Sequence, residues 1–484
     1  MEFYEKYLND SYVAPIRIGG EKICEGEIKE VTSPFSGKVV GRTYSANREM
    51  VIRAVDVAST FHKTSNYELV ERTVVLDKAS EKIKQYREDF ARMISSESAK
   101  PIATARIEVD RAIETFKFSA VSARTLVGEM VAIDAHPKGI NHTAFTLRVP
   151  IGVVAAIAPF NFPLNLVSHK VAPAIAAGCP IVLKPATNTP LTSCALVDLL
   201  IDECGLDPNM LSYVPCTGSV ANVFTELDDV AMISFTGSQK VGWTIRESAP
   251  KKKVALELGN NAPVILEPDC DIENVAGLMA KSGTIFAGQN CVSVQRIYVH
   301  SDIKEKFVES LKDQFLKLKV GDPLEDDTDV SSLITKKDNS RVKKLIDDAV
   351  NEGAKLIVGG DEDKNEIFLP TILLDTTDDM EVCANEVFGP VICVMEYSNF
   401  DEALKRANNT TLGLQAGVFT NNLQKAMKAA RTLDFGGVCI NETPTYRADN
   451  MPYGGVNDSG NTKEGPAYTV KEMTNERLII INES

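Results

Sequence analysis

The sequence predicts an α/β protein built on mostly parallel sheets, and three observations carry that expectation. Helical and strand patterns alternate along most of the chain, as in successive β-α-β units. The run 149–157 is apolar at nearly every position, as a strand covered on both faces must be. Glycines close the helical patterns at Gly178 and Gly205, where a left-handed residue ends a helix cheaply.

Taken in order, 51–60 and 71–94 read as amphipathic helices, the second dense in Lys, Arg and Glu on its polar face. The buried strand 149–157 comes next, then a helix over 166–177, a strand over 180–183 and a helix over 191–203. These repeated units have the form of a dinucleotide-binding domain. No GxGxxG run opens it. Instead a strand at 231–234 leads to Gly237 and Gly242 at the start of a helix, whose N-terminal amides can meet a pyrophosphate. Beyond residue 260, 271–287 reads as one helix that delivers the chain to Cys291, and 295–299 as a strand. Helices follow over 303–318 and 335–352, then a strand over 355–358 and an exposed polar loop over 361–366.

With 484 residues, 44% of them hydrophobic, the chain can bury large cores and should divide into two or more domains. A net charge of −15 argues against nucleic acid or an anionic membrane as partner. The charged start, Met1-Glu2-Phe3-Tyr4-Glu5-Lys6, lacks the apolar core of a signal peptide, and no apolar stretch is long enough to span a bilayer. A soluble cytoplasmic enzyme is the expectation. The 10 cysteines contain no CxxC pair, and the 5 histidines are scattered, so neither a disulfide scaffold nor a metal site is expected. Most of the cysteines should be small buried hydrophobes.

Cys291 stands apart. It ends the run Phe286-Ala287-Gly288-Gln289-Asn290-Cys291, a thiol behind a small flexible turn. Upstream, Glu257 is a lone acid inside Val254-Ala255-Leu256-Glu257-Leu258, where burial would raise its pKa. A thiolate adds to carbonyl carbons, and a carboxylate of raised pKa activates water, so the pair points to covalent catalysis at a carbonyl. Around them stand Ala158-Pro159-Phe160-Asn161-Phe162-Pro163, Lys184-Pro185-Ala186-Thr187, Phe235-Thr236-Gly237-Ser238 and Asn385-Glu386-Val387-Phe388-Gly389-Pro390. In this order, over nearly the whole chain, the set resembles the aldehyde dehydrogenase superfamily.

The resemblance implies that family's fold: a Rossmann-like cofactor domain over 1–129 and 151–259, and an α/β catalytic domain over 260–438. A small β-flap for oligomerisation comes from 130–150 and 463–484, with 439–462 as linker and substrate-mouth loop. It also implies a homo-oligomer, dimer or tetramer, that oxidises a small aldehyde with NAD or NADP. In that scheme Cys291 attacks the carbonyl, and the side-chain amide of Asn161 with the backbone amide of Cys291 holds the oxyanion. Hydride leaves to the nicotinamide, and Glu257 activates the water that hydrolyses the thioester. The presence of Glu257 speaks against the branch that passes the acyl group to coenzyme A. One departure from the family pattern is Asn260, where a second glycine usually follows Gly259.

For the cofactor, the resemblance assigns Lys184 to the adenosine ribose, Glu386 to the nicotinamide ribose, and Phe388 beside it. Pro159, Phe160, Gly237, Ser238, Gly242 and Leu258 complete that surface. NAD-preferring relatives commonly carry glutamate where Thr187 stands; a neutral threonine admits NADP as well as NAD. The stretch from Asn441 to Val456 is similar to the branch acting on lactaldehyde, phosphonoacetaldehyde, sulfolactaldehyde and glyceraldehyde 3-phosphate. Arg447 in it and Arg111 would face the substrate, with Asn165 and Asn290 lining a polar pocket. Guanidinium forks suit phosphonate, sulfonate or carboxylate. The expectation is an anionic aldehyde, with a neutral lactaldehyde or glycolaldehyde type, or succinate semialdehyde, as the alternative. A cysteine hydrolase or acyltransferase pairing Cys291 with His169 is disfavoured, because it leaves the cofactor motifs unexplained.

Overall fold

The computed structural model describes residues 3–9 and 11–484. Two seven-stranded sheets organise the chain. In the first, the parallel strands Lys253–Glu257, Val230–Thr236, Val153–Ile157, Ile181–Lys184 and Leu211–Tyr213 lie side by side in that order. Antiparallel Ile16–Ile18 and Glu21–Ile23 extend it. Val153–Ile157 is first of the parallel strands in sequence yet central in space, so the chain winds outward from it in both directions. The switch point of this doubly wound sheet lies where Ile157 pairs with Phe235. Val154 and Ala156 enter one hydrophobic core while Val153, Ala155 and Ile157 enter another, so burial on both faces explains the unbroken apolar run.

The second sheet orders Lys355–Val358, Thr371–Leu374, Val391–Tyr397, Arg296–His300, Pro263–Leu266, Gln415–Phe419 and Gly437–Ile440. Only its edge strand at 355–358 is antiparallel. Residues 258–262 join the two sheets. The carboxyl ends of the first sheet therefore meet the segments that enter strands of the second: Gly259 before Pro263, Cys291 before Arg296, and Glu386 and Phe388 before Val391. A separate antiparallel sheet pairs Thr474–Asn482 along the full length of His142–Pro150, with Met130–Val131 on its other side. Met130, Leu147, Leu478, Ile480 and Ile481 are exposed on it.

Several elements differ from their sequence expectation. The run 149–157 is divided at Gly152, whose φ of +123° turns the chain out of one sheet and into another. Both parts of the run are apolar, but only Val153–Ile157 is buried throughout, and Val149 and Pro150 at the end of the preceding strand are half-buried. The expected helix 71–94 is two, Leu69–Gln85 and Arg87–Ser98, broken at Tyr86 with ψ 28°. The expected helix 191–203 is Pro190–Asp198 followed by a π-turn over Leu199–Glu203. The helix before the thiol stops at Thr284, and Phe286, Ala287 and Gly288 are all left-handed. The helix Asn165–Ala177 ends at Gly178 with φ +81°, as its glycine signalled. No helix among the described residues is long and apolar enough to cross a membrane.

Candidate active site

A cleft of about 700 Å³ opens at the switch point of the first sheet, a size common for small-molecule sites. Ala158, Pro159, Phe160 and Asn161 leave the central strand there, and Phe235, Thr236, Gly237 and Ser238 leave its neighbour. Ser238 occupies the N-cap position of the helix Gln239–Ser248, so that helix begins at the cleft wall. Lys184 ends its strand inside the cleft, with Nζ donating to the Pro185 carbonyl at 3.0 Å; burial lowers its pKa. Thr187 is exposed at the rim. Gly242 does not line the cleft; it packs against Leu256 and Leu258 on the buried side of its helix. Leu258 itself forms part of the floor.

The opposite wall belongs to the second sheet. Glu386 accepts from the Asn260 amide at 3.0 Å, and burial pushes its carboxyl up to about 7 against that hydrogen bond. A Cβ at Gly259 would lie 2.4 Å from Glu386 Oε2, so any larger residue there would push the Glu386 carboxylate aside. Asn260 is not left-handed, so no second glycine is required. Its side chain instead donates to the Gln415 carbonyl at 3.0 Å. Phe388 meets Phe160 edge-on across the cleft, with centroids 5.9 Å apart. A switch-point cleft with a helix N-terminus, a buried lysine and a carboxylate on the facing wall fits a dinucleotide.

Cys291 and Glu257 line this cleft and also a tight inner pocket of about 30 Å³ with Arg111, Phe162, Asn290, Thr445, Arg447, Tyr453 and Glu464. The thiol is held by the left-handed turn before it. A Cβ on Gly288 would lie 2.0 Å from the Gly389 carbonyl oxygen, so glycine alone permits that approach. Gln289 anchors the turn by accepting from the Ile334 amide at 2.8 Å. Burial pushes the Cys291 thiol up to about 12, and a hydrogen bond with Tyr453 acts against it. Glu257 is 4% exposed, and neither carboxylate oxygen has a hydrogen-bond partner among the described residues. Burial first, and then the nearby Glu464 carboxylate, raise its pKa well above the usual range. A buried acid with no donor to hold it ionised is poised to take up a proton.

Asn161 lies in the turn before the helix Asn165–Ala177, not on it. Its Nδ2 donates to the Gln289 carbonyl at 3.1 Å, which ties it to the thiol turn. Behind it sits a buried ion pair that sequence reading missed. Lys100 donates to Glu108 and, at 2.6 Å, to the Asn161 carbonyl. Glu108 accepts from the amides of Leu164 at 2.9 Å and Asn165 at 3.1 Å. One pair thus clamps both ends of the Asn161 turn. The same helix, Ile102–Thr125, carries Arg111 and Thr115 toward the mouth.

At the mouth both arginines have carboxylate partners. Arg111 binds Asp449 through Nε at 3.1 Å and Nη2 at 3.0 Å. Arg447 is buried; its Nη2 donates to Glu464 at 2.8 Å and its guanidinium lies 3.8 Å from the Tyr453 ring centroid. Its Nε has no partner among the described residues. Asn165 does not line the pocket. It is fully buried and donates to Asp449 at 3.0 Å. His169 contacts Asp449 at 2.8 Å and Arg447 at 3.3 Å, and it lines neither the cleft nor the inner pocket, so it does not pair with Cys291. Burial and then Arg447 lower its pKa, which keeps it neutral. Lys170 donates to Ser234 at 3.1 Å and Thr236 at 2.7 Å, with Glu464 at 3.8 Å. Lys100, Glu108, Lys170 and Glu464 carry no local pattern that would single them out, and the pattern of 441–456 singles out Arg447 rather than Asp449 or Tyr453 within it. A charged residue that is fully buried betrays itself only when its partner is brought near.

Three comparisons converge. A profile of the aldehyde dehydrogenase family matches residues 23–479. The chain is 43% identical over 466 residues to a 3-sulfolactaldehyde dehydrogenase of Priestia aryabhattai, covering 96% of this chain and 97% of that one. It is 38% identical to a lactaldehyde dehydrogenase of Methanocaldococcus jannaschii, covering 94% and 98%. Among solved structures, glyceraldehyde-3-phosphate dehydrogenase GapN of M. jannaschii, complexed with NADP, superposes with TM-score 0.91 at 37% identity, covering 95% and 100%. An aldehyde dehydrogenase of Physcomitrella patens, in complex with the reaction product succinate, superposes with TM-score 0.93 at 34% identity, covering 97% and 98%. With its fold, cleft and motifs in that register, the chain belongs to the aldehyde dehydrogenase family and is an NAD(P)-dependent oxidoreductase.

Proposed function

We propose that this enzyme oxidises a small anionic aldehyde to its carboxylic acid through a thioester on Cys291, with Glu257 as the base that activates water. The observation that carries the substrate reading is the convergence of Arg111 and Arg447 on the inner pocket that holds Cys291 and Glu257. Arg447 Nε is unpartnered there, and Arg111 spends Nε and Nη2 on Asp449, so guanidinium N–H groups remain for an anion. The likeness to a sulfolactaldehyde dehydrogenase, and to a relative holding succinate, supports the same reading.

In this scheme the chain supplies positioning, an oxyanion site and a proton acceptor. Cys291 Sγ adds to the carbonyl carbon, and the free N–H of Asn161 Nδ2 with the Cys291 amide holds the resulting oxyanion. The cofactor, when bound, supplies the hydride acceptor; Lys184, Glu386 and the Gly237-Ser238 turn would hold it. Glu257 then takes a proton from water, and the hydroxide attacks the thioester carbon and releases Cys291. The exposed apolar residues on both faces of the 142–150 and 474–482 strands, Leu147 and Ile481 on one and Leu478 and Ile480 on the other, support their reading as an interface between copies of the chain.

A second reading, a neutral lactaldehyde-type substrate, is favoured by the carboxylate already paired to each arginine and by the lactaldehyde dehydrogenases among the relatives. A panel of neutral, carboxylated, sulfonated and phosphorylated aldehydes separates the two. Arg111→Leu is expected to reduce kcat/KM for the anionic substrates by roughly 10- to 150-fold, the equivalent of about 1.5–3 kcal/mol for a charge-assisted hydrogen bond. A neutral aldehyde of similar length should be hardly affected. Arg447→Leu should slow anionic aldehydes more than neutral ones, on top of a loss common to both because its cation also favours the Cys291 thiolate. It should also lower stability, because Glu464 keeps only Lys170, 3.8 Å away, as a cationic partner. Equal losses on neutral and anionic aldehydes in Arg111→Leu would make Arg111 structural.

For the cofactor, Thr187 at the cleft rim and the NADP held by a solved relative support use of NADP beside NAD. Thr187→Glu should raise the KM for NADP far more than that for NAD. Like charges at hydrogen-bond distance cost about 1–4 kcal/mol between effective dielectrics of 80 and 20. Steady-state titration of both cofactors reads it, and equal shifts would place residue 187 away from the adenosine ribose.

A further inference from the structure

We propose that the Tyr453 hydroxyl is a further catalytic group, which donates a hydrogen bond to the Cys291 thiolate and so sets the pH at which the nucleophile forms. The inference rests on Cys291 being that nucleophile. Tyr453 Oη lies 3.0 Å from Cys291 Sγ, closer than sulfur contacts usually come. Tyr453 is 3% exposed, and this sulfur is the hydroxyl's hydrogen-bond partner among the described residues. The side chain's one polar atom is therefore aimed at the reacting atom. Phenylalanine would fill the same space without it.

The direction of the hydrogen bond follows from the surroundings. A phenol can donate or accept, but burial and the neighbouring sulfur hold the Tyr453 proton firmly, so facing a thiolate it donates. The other groups around the sulfur mostly oppose a negative charge there. Asn290 Oδ1, at 3.8 Å, can only accept from the neutral thiol. The Glu386 and Glu257 carboxylates, when ionised, repel the thiolate, and burial strips its water. Tyr453 and the Arg447 cation are what favour it.

Arg447 acts partly through Tyr453. Its guanidinium lies 3.8 Å from the ring centroid, held by Glu464 through Nη2. A cation on the ring face draws electron density from the phenol and strengthens its O–H as a donor. The row Glu464, Arg447, Tyr453, Cys291 thus joins the substrate end of the pocket to the nucleophile. An anion that engages Arg447 would alter the donor strength reaching the sulfur.

Tyr453→Phe tests this, because the ring, its packing and its stack on Arg447 survive the change. The rate of iodoacetamide inactivation is measured against pH for wild type and variant, with the label mapped to Cys291 by mass spectrometry and cofactor binding followed in parallel. The midpoint is expected to rise by about 1 to 2 pH units, read at every pH below it as a roughly 10- to 100-fold slower inactivation, the size of one charge-assisted hydrogen bond. The acid limb of kcat/KM should move with it while the cofactor Kd stays put. An unchanged midpoint would overturn the inference even if kcat falls, since the hydroxyl would then act only later in the reaction. A lowered midpoint would overturn it too, showing that the thiol donates to the phenol. If complete labelling of Cys291 leaves aldehyde oxidation intact, the nucleophile reading itself fails, and the inference with it.

Discussion

Cys291→Ala is expected to abolish aldehyde oxidation, with a loss on the order of 10,000-fold or more, the scale that follows removal of a covalent nucleophile. Cofactor binding should be nearly intact. The thiol lines both the cleft and the inner pocket, yet Lys184 ends one strand, Gly237 follows another and Glu386 lies in the loop before Val391–Tyr397, and none of these depends on it. Alanine also keeps the turn, which is held by Gly288 against Gly389 and by Gln289 on Ile334. Absorbance of the reduced cofactor reads the first effect and fluorescence titration the second. Retained turnover with any good substrate would rule out the covalent route.

Glu257→Gln should separate the two halves of the reaction. Acylation does not need this base, whereas hydrolysis does. The expected trace is a burst of reduced cofactor near one equivalent per site, then steady turnover lowered by about 100- to 10,000-fold. Intact-protein mass spectrometry should find the acyl group on Cys291. The wild-type pH profile carries a second signature. Burial raises the Glu257 pKa, so the ionised base accumulates only as pH climbs through that raised value, and hydrolysis should quicken with it. The glutamine variant should lack that limb. An unmodified enzyme without a burst would place Glu257 earlier in the reaction or in a purely structural role.

The turns that present chemistry were legible because each is written in a few consecutive residues. Phe286 to Cys291, the Pro159 to Pro163 turn and the Glu386 segment each lie next to a strand end, and the order of helices and strands implied which ends would share an edge. The same local logic misjudged 149–157 and 71–94. Hydrophobic pattern does not mark where the chain changes sheets, and the half-buried apolar end of one strand reads like the buried start of the next.

The sequence by itself determined the α/β class, the family, and a cleft combining a thiol, a lone acid and a lysine. These depend on residue identity and short-range backbone geometry. Only the tertiary structure decided what the charged groups are for. Arg111 meets Asp449 across 338 positions, Lys100 reaches the Asn161 carbonyl across 61, and Tyr453 touches Cys291 across 162. In a buried site a charge is tolerated only with its partner, and the partner is chosen by packing between distant elements rather than by neighbours in the chain. Whether an arginine is a free anion clamp or half of an ion pair is therefore a property of the folded mouth.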